Sequence, residues 1–296
     1  DRVGEDGLYE LSPYGEVGKE IYDFSKEYPD IGIAYTPIGI VLDYYHGVYP
    51  GFGNKISFHH FPYNAGDHMT WSLLDMFFPG GWEVMGKQEA GTLVNGPYGD
   101  TCDVLLQNAS SKLLNSYPVI ILSGDISFTS EEVGRYISYV KQGGTLVLNS
   151  AYLKYFPDYK AQYGNQSRLD VADGNGTAII YGPDFSVGNL DLIIREQLDR
   201  LMPIKVSQDI QHVVSIKNGS IYVALINSDG VTKDYRTPPV VDKTKVKTVD
   251  ITYTGELHVK KIKDIYNKFE FENFANNTVK VTIEPGELTV LEFKFD

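Results

Sequence analysis

The sequence predicts a doubly wound α/β unit built on a parallel sheet, followed by a small antiparallel β-sandwich. Three observations carry this. Short apolar runs such as Ile38–Leu42 and Val119–Leu122 alternate with helical patterns, as strands buried on both faces of a parallel sheet do. Near Met202-Pro203 the pattern changes, and from Val213 onward apolar and polar residues alternate with period two. Asn218-Gly219 then lies between two such runs as a two-residue hairpin turn. The division falls at residues 1–205 and 206–296.

The first helix is read from Val17, Ile21, Phe24 and Tyr28, spaced to form one apolar face, with Pro29-Asp30-Ile31-Gly32 ending it. The strand Ile38–Leu42 follows and runs into Asp43-Tyr44-Tyr45-His46-Gly47. After a loop rich in aromatics, Asp67 caps a helix that uses Met69, Leu73, Leu74, Phe77 and Phe78. Asp103–Leu106 and Val119–Leu122 read as strands. Thr129 opens the next helix with Glu132 completing a capping box, and Gly143-Gly144 closes it. Thr145–Asn149 and Ala178–Tyr181 are further strands, and Leu190, Ile193, Ile194, Leu198 and Leu201 align on a last helix. In the C-terminal part strands are expected near 213–216, 221–226, 248–253, 257–264, 278–283 and 287–295, with 229–247 as a long exposed connection.

Composition narrows the function. A chain of 296 residues with 42% hydrophobic content builds a real core. Its net charge of −13 opposes phosphate binding, which removes nucleic acid as a partner. No apolar run is long enough to span a membrane. Cys102 is the single cysteine, so neither an intrachain disulfide nor a cysteine metal site is available. The opening Asp1-Arg2 reads as a processed or cut start. Asn108, Asn165, Asn175, Asn218 and Asn276 stand in glycosylation sequons that matter only in a eukaryotic secretory pathway.

Several local stretches carry a resemblance. They are Pro13-Tyr14-Gly15 with Asp23-Phe24, Tyr35-Thr36-Pro37 before the strand, His46-Gly47, Tyr117 to Ser123, Tyr139 to Leu146, and Pro285-Gly286-Glu287 before a final apolar strand. Their order resembles the C-terminal half of multidomain glycoside hydrolases of the β-galactosidase-like kind, in which a catalytic barrel precedes an amidotransferase-like domain and a small β domain. The resemblance covers most of the chain. It implies a flavodoxin-like fold of the class I glutamine amidotransferase kind, whose active members place a cysteine in a G-x-C-x-G turn after a strand. Here that turn reads Leu148-Asn149-Ser150-Ala151-Tyr152, without the cysteine or either glycine, so no amidotransferase activity is expected. The resemblance implies that the paired carboxylates of such glycosidases belong to the barrel, which is expected to lie outside this sequence.

The candidate contact surface is the stretch from Asp43 to His68, where four of the six histidines fall. Asp43, Tyr44, His46, His59, His60, Phe61, Tyr63, Asp67 and His68, with Asp125 at another strand end, are expected to face a ligand or partner domain, since aromatic faces stack on sugar rings while Asp and His bond hydroxyls. The histidines show no H-E-x-x-H or comparable spacing, so no metal is expected, and no cofactor. Cys102 reads as a packing residue, and Glu131 and Glu132 as first-turn and capping groups. The chain is thus expected to be a non-catalytic accessory portion of a carbohydrate-active enzyme. Its expected roles are packing on the catalytic barrel, completing a carbohydrate cleft, and supporting homo-oligomer assembly. The rivals are a free-standing hydrolase using Asp43, His46, Asp125 or Ser150, and a glycan-binding module.

Overall fold

The structure is a computed structural model that describes residues 2–3, 7–43, 56–57, 61–62, 64–79, 96–164, 166–182, 187–217, 219–232, 239–272 and 274–296. One six-stranded sheet runs, edge to edge, Arg168–Asp173, Gly176–Tyr181, Thr145–Asn149, Val119–Leu122, Ile38–Leu42 and Cys102–Leu106. Its pairings are parallel except at the Arg168–Asp173 edge, which is antiparallel to Gly176–Tyr181. Alternate strand residues enter different cores, as the pleat requires. Ile38, Ile40 and Leu42 join one apolar cluster and Val41 the other; Val119 and Ile121 separate likewise from Ile120 and Leu122.

The C-terminal residues form a second six-stranded sheet, ordered Phe269–Glu270, Val259–Asp264, Leu288–Phe295, Ser220–Ile226, Gln211–Lys217 and Ile33–Ala34. A three-stranded sheet of Ile204–Val206, Lys247–Tyr253 and Thr278–Ile283 shares its core, through Val249, Ile251, Val223 and Phe293. That core is continuous with the cluster under Ile38 and Ile40.

These pairings overturn the expected doubly wound, flavodoxin-like parallel sheet followed by a sandwich. Among the described residues antiparallel pairings outnumber parallel ones, and the chain is mostly β with six α-helices. The first sheet is mixed, because the Asp173-Gly174 turn, with Gly174 at φ +63°, sends the chain straight back on itself. Nor do the two patterns simply follow one another. Ile33–Ala34, early in the chain, pairs with Ser215 and Ile216 as a strand of the C-terminal sheet. Arg168–Asp173 escaped the sequence reading because its residues Arg168, Asp170 and Asp173 break the apolar run of a buried strand. The expected connection 229–247 also contains a short ladder, Val231–Thr232 against Val240–Val241.

Helix starts follow local chemistry. Ser12 caps Pro13–Glu27, accepting from the Gly15 N–H at 3.2 Å with proline in the first turn. The Thr129 capping box forms as read, with Glu132 returning a bond to the Thr129 N–H at 2.8 Å. Burial by itself raises the Glu132 pKa, but the bonds from Thr129 and Gln107 and the nearby Arg135 outweigh it and hold the carboxyl below its ordinary value. The helix Ala65–Phe77 is capped differently from expectation: Asn64 is the cap and Asp67 closes the box from three residues on. No described helix is long and apolar enough to cross a membrane.

Candidate functional site

In its sheet the strand Ile38–Leu42 lies between Cys102–Leu106 and Val119–Leu122, the next two strands of that sheet in chain order, so the strand order reverses there. In sheets of parallel strands a crevice opens beyond such a point, and ligands use it. Here the two strand ends are tied to each other. Asp43, buried just past Leu42, accepts the Asp125 N–H at 2.8 Å from the turn after Val119–Leu122. Gly124 has φ +96°, and a Cβ there would stand 2.6 Å from Asp43 Oδ2. The start of the Ala65–Phe77 helix lies against the same turn, so closely that a Cβ on Gly66 would stand 2.5 Å from the Asp125 nitrogen. Thr70 and Ser123 hydroxyls lie 3.4 Å apart, and the Tyr152 hydroxyl donates to the Gly124 carbonyl at 2.7 Å.

Of the residues expected to form the contact surface, the structure brings together Asp43, Asp125 and the turn holding Asp67. Asp67 is buried in its capping box, and His68, next to it, is exposed. Phe61 belongs to a two-residue strand paired with Ile56–Ser57. Tyr44, His46, His59, His60 and Tyr63 lie outside the described residues. Among the described residues no three His, Cys, Asp or Glu side chains are grouped to hold a metal.

The turn after the strand Thr145–Asn149 is a capped 3₁₀ helix, Ser150–Lys154. Asn149, fully buried, accepts the Ala151 N–H at 2.9 Å and donates to the Gly182 carbonyl at 2.8 Å. That geometry caps the 3₁₀ helix. Cys102 begins a strand and is half-buried; desolvation, then Asp100 and Asp103, push its thiol up to about 12, so the reactive thiolate is suppressed.

Two features were not anticipated from sequence. The first is a cleft of about 420 Å³ whose aromatic lining is Phe128, Tyr155, Phe156 and Tyr159, with Lys154 and Asp173 also on it. Its only sequence signal is the density of aromatics between 152 and 159. The second is a cluster around the buried His212 of the strand Gln211–Lys217, reaching the helix Val187–Leu201. His212 is 6% exposed and lies on Gly99, whose added Cβ would stand 2.4 Å from His212 Nε2. Its Nδ1 is 2.8 Å from the Ile210 carbonyl oxygen. Tyr98 beside it hydrogen-bonds Asp191, which pairs with Arg195 at 2.9 Å.

Burial holds the His212 pKa below its ordinary value, against the raising pull of Ile210 and Asp100. The unfolded chain then binds the proton first as pH falls through about 6.5, so stability drops below that pH. Asp100 pulls the other way, since burial raises its carboxyl. Thermal melts from about pH 7.5 to about pH 5 should show a loss with a limiting slope of about 1.4 kcal/mol per pH unit, and His212→Gln should flatten it. An unchanged slope in His212→Gln would remove His212 as its source.

Several solved glycosidases contain a similar arrangement. The chain superimposes over 99% of its length on a GH42 β-galactosidase of G. stearothermophilus, covering 45% of that chain, with TM-score 0.58 and 12% identity. A β-galactosidase from Bacillus circulans sp. alkalophilus matches 98% of this chain and 46% of its own at TM-score 0.57 and 11% identity. A rhamnosidase from Novosphingobium sp. PP1Y matches 95% of this chain and 25% of its own, with TM-score 0.51 and 10% identity. The chain therefore has the fold of a piece of such enzymes and spans less than half of their length. No family model matches it, and no curated protein does.

Proposed function

We propose that this chain is a non-catalytic portion of a glycoside hydrolase, packing on a catalytic barrel that lies outside it. The observation that carries the reading is the helix Pro13–Glu27. Its apolar stripe is half covered. Phe24 and Tyr28 pack with Tyr266, the Phe24 ring lying 5.2 Å from each of the other two. Val17 and Ile21, two turns and one turn earlier on the same stripe, are 53% and 49% exposed, and Leu11 is exposed just before the helix. A stripe laid down at helical spacing but covered along only half its length fits a surface that a further body completes. The likeness to enzymes more than twice as long supports the same view.

In this reading the stretch from Tyr44 to His68 borders the barrel's carbohydrate cleft, the chain divides near residue 205, and homo-oligomer assembly is a further role. The Asp43 geometry supports a structural part for that carboxylate rather than a catalytic one.

Two measurements test the proposal. The chain alone is expected to show no turnover of aryl glycosides, aryl esters or glutamine; turnover that Asp43→Asn abolishes would overturn it. Val17→Ser with Ile21→Ser is expected to leave stability in urea within about 0.5 kcal/mol, as at exposed sites, and to reduce binding of a hydrophobic dye. A loss above about 1 kcal/mol would mean that the chain covers the stripe itself.

A further inference from the structure

The cleft between the helix Ser130–Lys141 and the segment Lys154–Tyr159 has no part in the proposed packing on a barrel. We infer that it binds a neutral sugar of one or two pyranose rings.

The first argument is rigidity. Phe128 is ringed edge-on by Tyr136, Tyr152, Tyr155 and Phe156 at centroid distances of 5.4, 5.9, 5.3 and 5.8 Å. Phe156 in turn stacks on Tyr159 at 5.9 Å and 11°. Side chains interlocked in this way lose little entropy when a ligand arrives. Core packing accounts for the buried members but not for Tyr155, which is half-exposed at the end of the 3₁₀ helix and bonds Ser127 through its hydroxyl at 3.3 Å. An aromatic ring with its body on the cleft and its hydroxyl held at the edge presents a fixed apolar platform, the surface on which the C–H face of a pyranose rests.

The second argument is the polar lining. Asp173 accepts the Tyr159 hydroxyl at 3.0 Å, and a carboxylate has acceptor capacity for further hydroxyl donors. The exposed Lys154 holds its ammonium over the Tyr155 ring, 4.9 Å from the centroid, so a sugar resting on that face displaces it, and Asp158 lines the same cleft. Both signs of charge are present, which suits neither a phosphate, repelled by two carboxylates, nor a cation, repelled by the lysine. Donors and acceptors above an aromatic platform suit a polyol without charge. A volume of about 420 Å³ lies at the small end of ligand sites, the size of one or two sugar rings.

The inference needs no barrel and stands apart from the docking proposal, which is tested by the stability of the Val17 and Ile21 variants. Its own test is titration of the isotopically labelled chain with lactose, followed by NMR. Saturable shifts are expected at residues 128–133 and 154–159. Tyr155→Ala should weaken binding about tenfold, the loss of one aromatic platform. Asp173→Asn, which keeps a partner for Tyr159, should weaken it about three- to tenfold through the lost charge-assisted bond. Unchanged spectra away from the cleft would show that both variants fold. The inference is overturned by an absence of saturable shifts up to about 100 mM lactose, a hundred times a millimolar Kd. It is equally overturned by shifts centred elsewhere, by unchanged affinity in both variants, or by displacement of lactose from the cleft by inorganic phosphate.

Discussion

Asn227→Ala is expected to destabilise the chain by about 3 kcal/mol, as read from urea unfolding, although Asn227 touches no candidate site. Its side chain is 0% exposed at the end of the Ser220–Ile226 strand. From there Nδ2 donates to the Lys245 carbonyl at 2.9 Å and to the Ile283 carbonyl at 3.1 Å, while Oδ1 accepts the Asp229 N–H at 3.2 Å. One amide thus joins the ends of strands from both C-terminal sheets. Each such bond contributes only about 1 kcal/mol net, but truncation removes three at once and leaves the buried Ile283 carbonyl without this partner, and that desolvation adds to the loss. Asn227→Asp should be no milder, because it replaces two donated bonds with a carboxylate facing two carbonyl oxygens. A loss below about 1 kcal/mol in Asn227→Ala would show that water takes over these groups.

Gly124→Ala is the second large effect, again about 3 kcal/mol. Two causes add. A φ of +96° is strained for any residue with a Cβ, at a cost of about 1–3 kcal/mol, and the new methyl would stand 2.6 Å from Asp43 Oδ2. Asp43 cannot move aside without releasing the Asp125 N–H. A double-mutant cycle separates the causes: in an Asp43→Ala background the clash is gone and only the backbone strain remains, so the two substitutions should couple by about 1–2 kcal/mol. Strict additivity would mean that Asp43 and Gly124 do not press on each other. The outcome also bears on function, since a carboxylate wedged against a turn and bonded to a backbone N–H is held as a structural acceptor.

Much of the local structure was legible. The Thr129 capping box, the apolar run Ile38–Leu42 and the stretch Gln211–Ile226, which turns at Gly219 with φ +80°, are specified by residues within a few positions of one another. The helix Pro13–Glu27 was legible too, but its burial was not: Val17 and Phe24 look alike in spacing, and only the position of Tyr266 makes Phe24 covered. Asp67 was placed on the right helix but given the wrong part, because Asn64 offers the same capping chemistry three residues earlier. The candidate surface suffered from a different limit. Its histidines were chosen by their crowding in sequence, whereas the cleft at Tyr155 and Asp173 draws its lining from a helix, a 3₁₀ turn and a strand.

The amino-acid sequence by itself determined that Ile38–Leu42, Val119–Leu122 and Thr145–Asn149 are strands buried on both faces, and where most helices start and stop. Those properties depend on side chains next to one another along the chain. Only the tertiary structure decided that Ile33–Ala34 pairs with Ser215 and Ile216, that Asp43 ties the turn at Asp125, and that Asn227 joins two sheets. Each of these unites residues tens to nearly two hundred positions apart, and a backbone N–H or carbonyl offers any strand or carboxylate the same bond. The choice among such partners is made by which apolar faces pack together, and that is settled only when the whole core closes.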